Sequence, residues 1–184
     1  MTGKRRALEE FLVIEARLGR RAAMADLVRL RGPRLLVHAA RLLNGKDEAQ
    51  DAVQDAWVQI FRDLHKLKDV AAFPAWATRI VSRCCYRIIE KRLRVQDAKR
   101  EIAPLIEDSC EVDLNEEAQI LRQAIDALPT PQRAAIALFY LEDMSLTEVA
   151  VSLDVPVGTV KSRLSVARMS LKDALKGDLD VQQK

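Results

Sequence analysis

The sequence predicts an all-α protein: two small helical domains joined by a flexible acidic linker, the C-terminal one a helix-turn-helix. Three observations carry this. The chain of 184 residues is 49% hydrophobic, enough to bury a core in one medium domain or two small ones. It holds only six Gly and six Pro, its aromatic content is 4%, and Ala, Leu, Arg and Glu are plentiful, a balance that favours helix over sheet. Apolar residues recur at spacings of three and four along most of the chain, but that rhythm lapses between residues 95 and 116.

Composition also narrows the function classes. The three cysteines, Cys84, Cys85 and Cys110, make an odd count with no disulfide framework, which fits a reducing cytoplasm. No apolar run has the length of a membrane span, and the start, MTGKRRALEEFL, lacks the apolar core and cleavage site of a signal peptide, so no membrane insertion is expected. The net charge of +3 hides a gradient: residues 1–94 carry +9, residues 95–128 carry −6, and the remainder is neutral. A basic first half before an acidic middle points to a polyanionic partner, although solvated helix faces also produce such asymmetry.

The first domain, expected over residues 1–94, begins with an apolar stripe of Leu8, Phe11 and Leu12, continued after Gly19 by Met24, Leu27 and Val28. Gly32-Pro33 should break the chain before a helix containing Leu35, Leu36, Ala39, Leu42 and Leu43, which Asn44-Gly45 ends. The next helix has the clearest pattern. Ala49, Ala52, Val53, Ala56, Trp57, Ile60, Phe61 and Leu64 share one side, leaving Asp47, Asp51, Gln54, Asp55 and Arg62 on the other. Acidic residues near its N-terminus complement the helix dipole, so the residues alone read as a stable surface helix.

Phe73-Pro74 opens another helix, to about Arg94, that buries Phe73, Trp76, Ala77, Ile80, Val81, Cys84 and Ile88. Its other face shows Arg79, Ser82, Arg83, Tyr86, Arg87 and Arg94. Arginines that neutralise phosphate beside a ring that stacks on an unpaired base suit nucleic acid; a solvated face with Tyr packed at its edge fits the same residues. Residues 95–116 form the linker. In the second domain, over residues 117–184, Leu121, Ala124, Ile125 and Leu128 line a helix. Thr130 then stands as N-cap with Pro131 at N1 of a helix reaching about Leu141.

The C-terminal segment has the architecture of a helix-turn-helix. Ser145 and Glu148 form a capping box over a short helix burying Val149, Ala150 and Leu153. A turn at Asp154-Val155 follows, and Pro156 fits the first turn of a helix that buries Val157, Val160, Leu164, Ala167, Leu171 and Leu175. Thr159, Lys161, Ser162, Arg163, Ser165 and Arg168 remain outside or on its flanks. Small hydroxyl residues let a backbone approach the major groove, and long cations reach guanine edges or phosphates. A helical hairpin with a solvated basic face is the plainer alternative.

DEAQDAVQDAWVQIF at 47–61, FPAWATRIV at 73–81 and LPTPQRAAIALFYLEDMSLTEVAVSLDVPVGTVKSRL at 128–164, in this order and spacing, resemble the extracytoplasmic-function (ECF) sigma factors from about residue 8 to 175. The resemblance implies a bacterial transcription-initiation factor. It implies that the helix with Asp51, Gln54 and Asp55 docks on the clamp helices of the largest subunit of core RNA polymerase. It places Arg79, Arg83, Tyr86 and Arg87 along the non-template strand of a melted minus-ten element, and Thr159, Lys161, Ser162, Arg163 and Ser165 at the minus-thirty-five element, with Arg168 nearer the backbone. The acidic linker resembles the segment that family members thread toward the polymerase cleft. An anti-sigma partner is implied as well. Arg83 and Arg87 stand where the family often has Asn and, four residues on, Asp. Val166 stands where it often has Arg, and Asp154 where helix-turn-helix proteins often have Gly.

No catalytic constellation is legible. His38 and His65 are isolated, neither forms a metal spacing with a cysteine, and no glycine loop cradles phosphate, so neither enzyme activity nor a cofactor or metal is expected. The competing reading is a helix-turn-helix regulator whose first domain senses a ligand or dimerises. A pure protein-interaction module leaves the recognition helix unexplained.

Overall fold

The computed structural model describes residues 3–43, 45–98 and 116–181. They form eight α-helices with short helical turns, and no strand occurs among the described residues. Two compact units result. One gathers the first four helices together with Val151–Asp154, and the other holds the rest of the C-terminal half. Of the predicted linker, residues 99–115 lie outside the described residues, and Cys110 with them.

In the first unit, α1 (Gly3–Arg17) turns at Gly19 into α2 (Arg21–Leu43), followed by α3 (Lys46–Asp63), two 3₁₀ turns, and α4 (Phe73–Ala98), which runs four residues past the predicted end. Gly19 has φ +81°, which favours a residue without Cβ, and its N–H donates to Ala16 O at 3.0 Å. Before α4, Asp69 accepts from the Ala71 N–H at 2.9 Å, an Asx cap that fixes the entry to the helix.

Two sequence expectations are corrected here. Leu8, Phe11 and Leu12 do not form one stripe: α1 buries Glu9, Leu12, Val13 and Ala16, while Leu8 and Phe11 face outward. Nor does Gly32-Pro33 break the chain, because α2 continues straight through Pro33. Proline inside a helix costs about 3 kcal/mol. The buried series Leu27, Arg31, Leu35, His38 and Leu42 keeps helical spacing across the site, and burying three leucines at about 1.5–3 kcal/mol each outweighs that cost. A Cβ at Gly32 would lie 3.8 Å from Val28 Cγ1 and 3.9 Å from Trp57 Nε1, ordinary contact distances.

The predicted apolar side of α3 is buried, with Phe61 half-buried and stacked on Trp57 at 5.2 Å. Trp76, assigned to the core, is half-buried instead. Ser82, expected on the outer face of α4, is fully buried: His38 Nε2 lies 2.9 Å from its Oγ, and that hydroxyl donates to Thr78 O at 3.0 Å. The Glu9 and Arg31 side chains pair at 3.5 Å in the interior. Burial raises the Glu9 carboxyl above its usual value despite the opposing pull of Arg31, Arg34, Arg5 and Arg6. Burial, with Arg41 and Arg31 adding to it, depresses His38 to about 3 and keeps its imidazole neutral. The Cys85 thiol is pushed up to about 12 by burial, with Cys84 adding to it, so it stays protonated and unreactive.

The second unit contains α5 (Glu116–Asp126), α6 (Thr130–Ile136), a π-helical turn (Ala137–Leu141), α7 (Leu146–Leu153) as far as Ala150, and α8 (Val157–Val181). Pro129, with extended backbone, occupies the N-cap, so Thr130 is already helical and does not cap as the sequence predicted. Both α5 and α6 pack on α8. Val160, Leu164 and Ala167 of α8 are buried, whereas the predicted Val157, Leu171 and Leu175 are only half-buried. In the π-helical turn the Glu142 N–H donates to Ala137 O at 3.1 Å, one residue wider than an α-turn.

Candidate nucleic-acid interface

The helix-turn-helix assembles from its caps. The Ser145 N–H donates to Glu148 Oε2 at 2.8 Å and the Glu148 N–H donates to Ser145 Oγ at 3.2 Å, the reciprocal bonds of a capping box. Asp154 forms the turn with φ +56°, a left-handed conformation that Asp tolerates better than most residues, so Gly is dispensable there. Pro156 O accepts from the Thr159 and Val160 N–H groups at 2.9 and 3.2 Å. Pro156 therefore caps α8 from outside its first turn, where the missing N–H matters least.

On α8, Lys161, Ser162, Ser165 and Arg168 are exposed, and Thr159 and Arg163 half-buried. Ser162 Oγ donates to Thr159 O at 2.9 Å and Arg168 Nε to Leu164 O at 3.2 Å, holding both side chains against the helix. Ser162 and Ser165 thus lie on the side opposite Val160, Leu164 and Ala167, with Lys161 and Arg168 on one flank and Arg163 on the other. Val166 and Met169, both exposed, share that outer side with the serines.

On α4, Arg83 and Arg87 are exposed, and Arg79 and Tyr86 half-buried. Arg87 Nη2 lies 3.0 Å from Cys84 Sγ, which tethers the guanidinium near the helix. Sequence reasoning missed Lys91. It is exposed and, with Arg94, continues the spacing of Arg79, Arg83 and Arg87. The resulting row runs from Arg79 to Arg94, about 22 Å at 1.5 Å per residue. Steps of four from Arg83 would have revealed it.

Asp51, Gln54 and Asp55 are exposed together on the outer side of α3. Val58, one turn on, shares that side and is 67% exposed, an apolar spot within an acidic surface. It also escaped the sequence reading, although the 51, 54, 55, 58 spacing marks it. Among the described residues, no three His, Cys, Asp or Glu side chains are grouped to hold a metal ion, and no helix is long and apolar enough to cross a membrane.

The family model for Sigma-70 region 2 matches residues 18–95, and that for Sigma-70, region 4 matches residues 118–171. The ECF RNA polymerase sigma factor SigM of Mycobacterium tuberculosis is 33% identical over 155 residues, covering 83% of this chain and 77% of that protein. The chain belongs to the ECF RNA polymerase sigma factors. SigW of Bacillus subtilis is 26% identical over 88% of this sigma factor and 94% of its own length. The SigE relative of Mycolicibacterium smegmatis is 30% identical over 85% of this chain, which spans 64% of that longer protein. Among solved structures, the sigma factor RpoE in complex with the anti-sigma factor NepR from Bartonella quintana superimposes with a TM-score of 0.69 at 26% identity, covering 83% of this chain and 96% of that one. Membership makes this sigma factor a transcription-initiation factor and confirms the all-α architecture read from the sequence.

Proposed function

We propose that this chain is an alternative sigma factor that docks on core RNA polymerase in the cytoplasm, reads both promoter elements, and is held in check by an anti-sigma factor. The observation that carries this reading is the division of exposed chemistry among three helices: acidic on α3, arginine-rich with a tyrosine on α4, hydroxyl and cationic on α8.

In this reading residues 1–94 form the polymerase-docking and minus-ten domain, residues 95–116 the linker, and residues 117–184 the minus-thirty-five domain. Asp51, Gln54 and Asp55 meet the clamp helices of the largest polymerase subunit, a partner whose cations such a face complements. Arg79, Arg83 and Arg87 neutralise phosphates of the non-template strand while Tyr86 offers a stacking face to an extruded base. Thr159, Lys161, Ser162, Arg163 and Ser165 enter the major groove of the minus-thirty-five element and Arg168 holds its backbone. Two tethered weak contacts become specific once polymerase fixes their separation, because the second binds at high effective concentration. The chain does no chemistry of its own; catalysis belongs to the polymerase. Control by an anti-sigma factor is supported by the bound NepR of the Bartonella quintana structure.

The test is run-off transcription with core enzyme and a promoter library. Promoter-dependent initiation is expected, and its absence on every template would sink the reading. Asp51→Ala with Asp55→Ala should weaken polymerase binding at least tenfold while leaving DNA binding by α8 unchanged; equal loss of both would remove the assigned division of roles.

A further inference from the structure

Helix α1 is apolar on two sides. Glu9, Leu12, Val13 and Ala16 face the core, whereas Leu8, Phe11, Ile14 and Leu18 are 49%, 57%, 46% and 68% exposed. Leu18 lies just beyond the helix but extends its last turn, its N–H donating to Ile14 O at 3.2 Å. Single exposed apolar residues are ordinary on a protein surface; four in register on one helix are not. At 100° per residue the two sets point in nearly opposite directions, so the outer face lies clear of α1's own packing. Its spacing is heptad: Lys4, Phe11 and Leu18 occupy one seam position, Ala7 and Ile14 the other, a pattern matched to one further helix.

We propose that this face pairs with its counterpart on a second copy of the chain, the two α1 helices running antiparallel about a twofold axis. Self-complementarity is the reason. Antiparallel pairing sets Phe11 against Ile14 of the second copy and Ala7 against Leu18 of the second copy, a small residue facing a large one. The twofold repeats both layers. At the seam's edge it brings Glu10 to Arg17 of the second copy, again twice. Parallel pairing would instead oppose Glu10 to Glu15 and Lys4 to Lys4, so like charges select the antiparallel arrangement. Within its own helix Glu10 approaches Arg6 at 3.5 Å on the exposed surface, a weak tie that leaves the carboxylate available. Four layers fall well short of the roughly 1,600 Å² of a standard interface, so the association is reversible and concentration-dependent.

Sedimentation velocity of the full chain at concentrations from about 1 to 200 µM tests this. The expected result is a shift from monomer toward dimer across that range. Phe11→Glu should abolish the shift, and Glu10→Arg or Arg17→Glu alone should weaken it at least tenfold. The double variant Glu10→Arg with Arg17→Glu should return to within about threefold of the parent. Circular dichroism shows whether each variant is folded, and if Phe11→Glu is not, the charge-exchange set decides by itself. A monomer at every concentration would overturn the proposal, as it would if the face served a different protein. A dimer indifferent to the charge changes, or one that the double variant fails to rescue, would overturn it equally.

Discussion

Helices α4 and α8 both carry rows of cations, yet they differ in what stands between the charges. On α4 the hydroxyls are turned inward: Thr78 and Ser82 are buried, donating to Pro74 O at 2.8 Å and Thr78 O at 3.0 Å, and the outer side is left to arginine, Lys91 and Tyr86. On α8 the hydroxyls of Ser162 and Ser165 lie outside among the cations. Long side chains at every turn hold a helix backbone away from its partner and suit the tracking of a flexible strand. Short ones admit the helix into a groove. Cationic charge alone therefore does not distinguish the two surfaces; the placement of the short hydroxyl side chains does.

The largest effects should come from reversing charge on one helix at a time. Lys161→Glu with Arg163→Glu is expected to lower specific binding of holoenzyme to a minus-thirty-five duplex about 100-fold, as lost base contacts at roughly 1–3 kcal/mol each imply. Initiation on a premelted template should change less than threefold. Arg83→Glu with Arg87→Glu should do the reverse, abolishing permanganate reactivity at the minus-ten element while sparing duplex binding. If either pair disables both readouts equally, the contrast between the helices fails.

Tyr86→Ala should reduce open-complex formation about tenfold, with Tyr86→Phe close to the parent, because stacking needs the ring and not the hydroxyl; the expected loss is about 1–3 kcal/mol. Full activity of the alanine variant would make Tyr86 a packing residue. A smaller effect compares the two rows by salt. Lys91→Ala should reduce the slope of log affinity against log salt by about 0.7 on single-stranded DNA, and Lys161→Ala by about 0.9 on duplex.

The interior of the first unit carries its own prediction. His38 titrates far below its ordinary 6.5 when folded, so the unfolded chain takes up a proton that the folded chain refuses. The stabilisation is complete above about pH 6.5 and is lost as pH falls toward 3, by up to about 1.4 kcal/mol per pH unit. Glu9, whose carboxyl is raised, has the opposite sign: its contribution is full at low pH and is lost as pH rises. Urea unfolding between pH 7 and 4 should show the acid limb flatten in His38→Gln and steepen in Glu9→Gln. An unchanged limb in His38→Gln would remove the imidazole as its source.

The legibility of the sequence followed the purity of its patterns. On α3 and the turn that follows it, seven of the eight predicted apolar positions are buried as read and the eighth is half-buried, because no polar residue interrupts the rhythm. On α1 the reading failed because apolar residues occupy both sides, and local sequence does not say which side meets the core. Gly32-Pro33 was overweighted: the breaker is local, but the buried series running through it answers to tertiary packing. Ser82 misled for a similar reason, since its partner His38 lies 44 residues away. Lys91 and Val58 were within reach of simple spacing and needed only the helices to be followed further.

The π-helical turn at Ala137–Leu141 bears on how this domain tolerates changes in length. Geometrically it is an α-helix that has absorbed one surplus residue, seen in the Glu142 N–H reaching back five positions to Ala137 O. A residue removed from an ordinary α-turn swings everything downstream by about 100° around the axis and misaligns the next helix. Removed here, the same residue lets the backbone relax into a regular α-turn. The turn is thus a seam in the gene as much as in the fold, the place in this helix where the loss of a single codon leaves a regular helical turn behind.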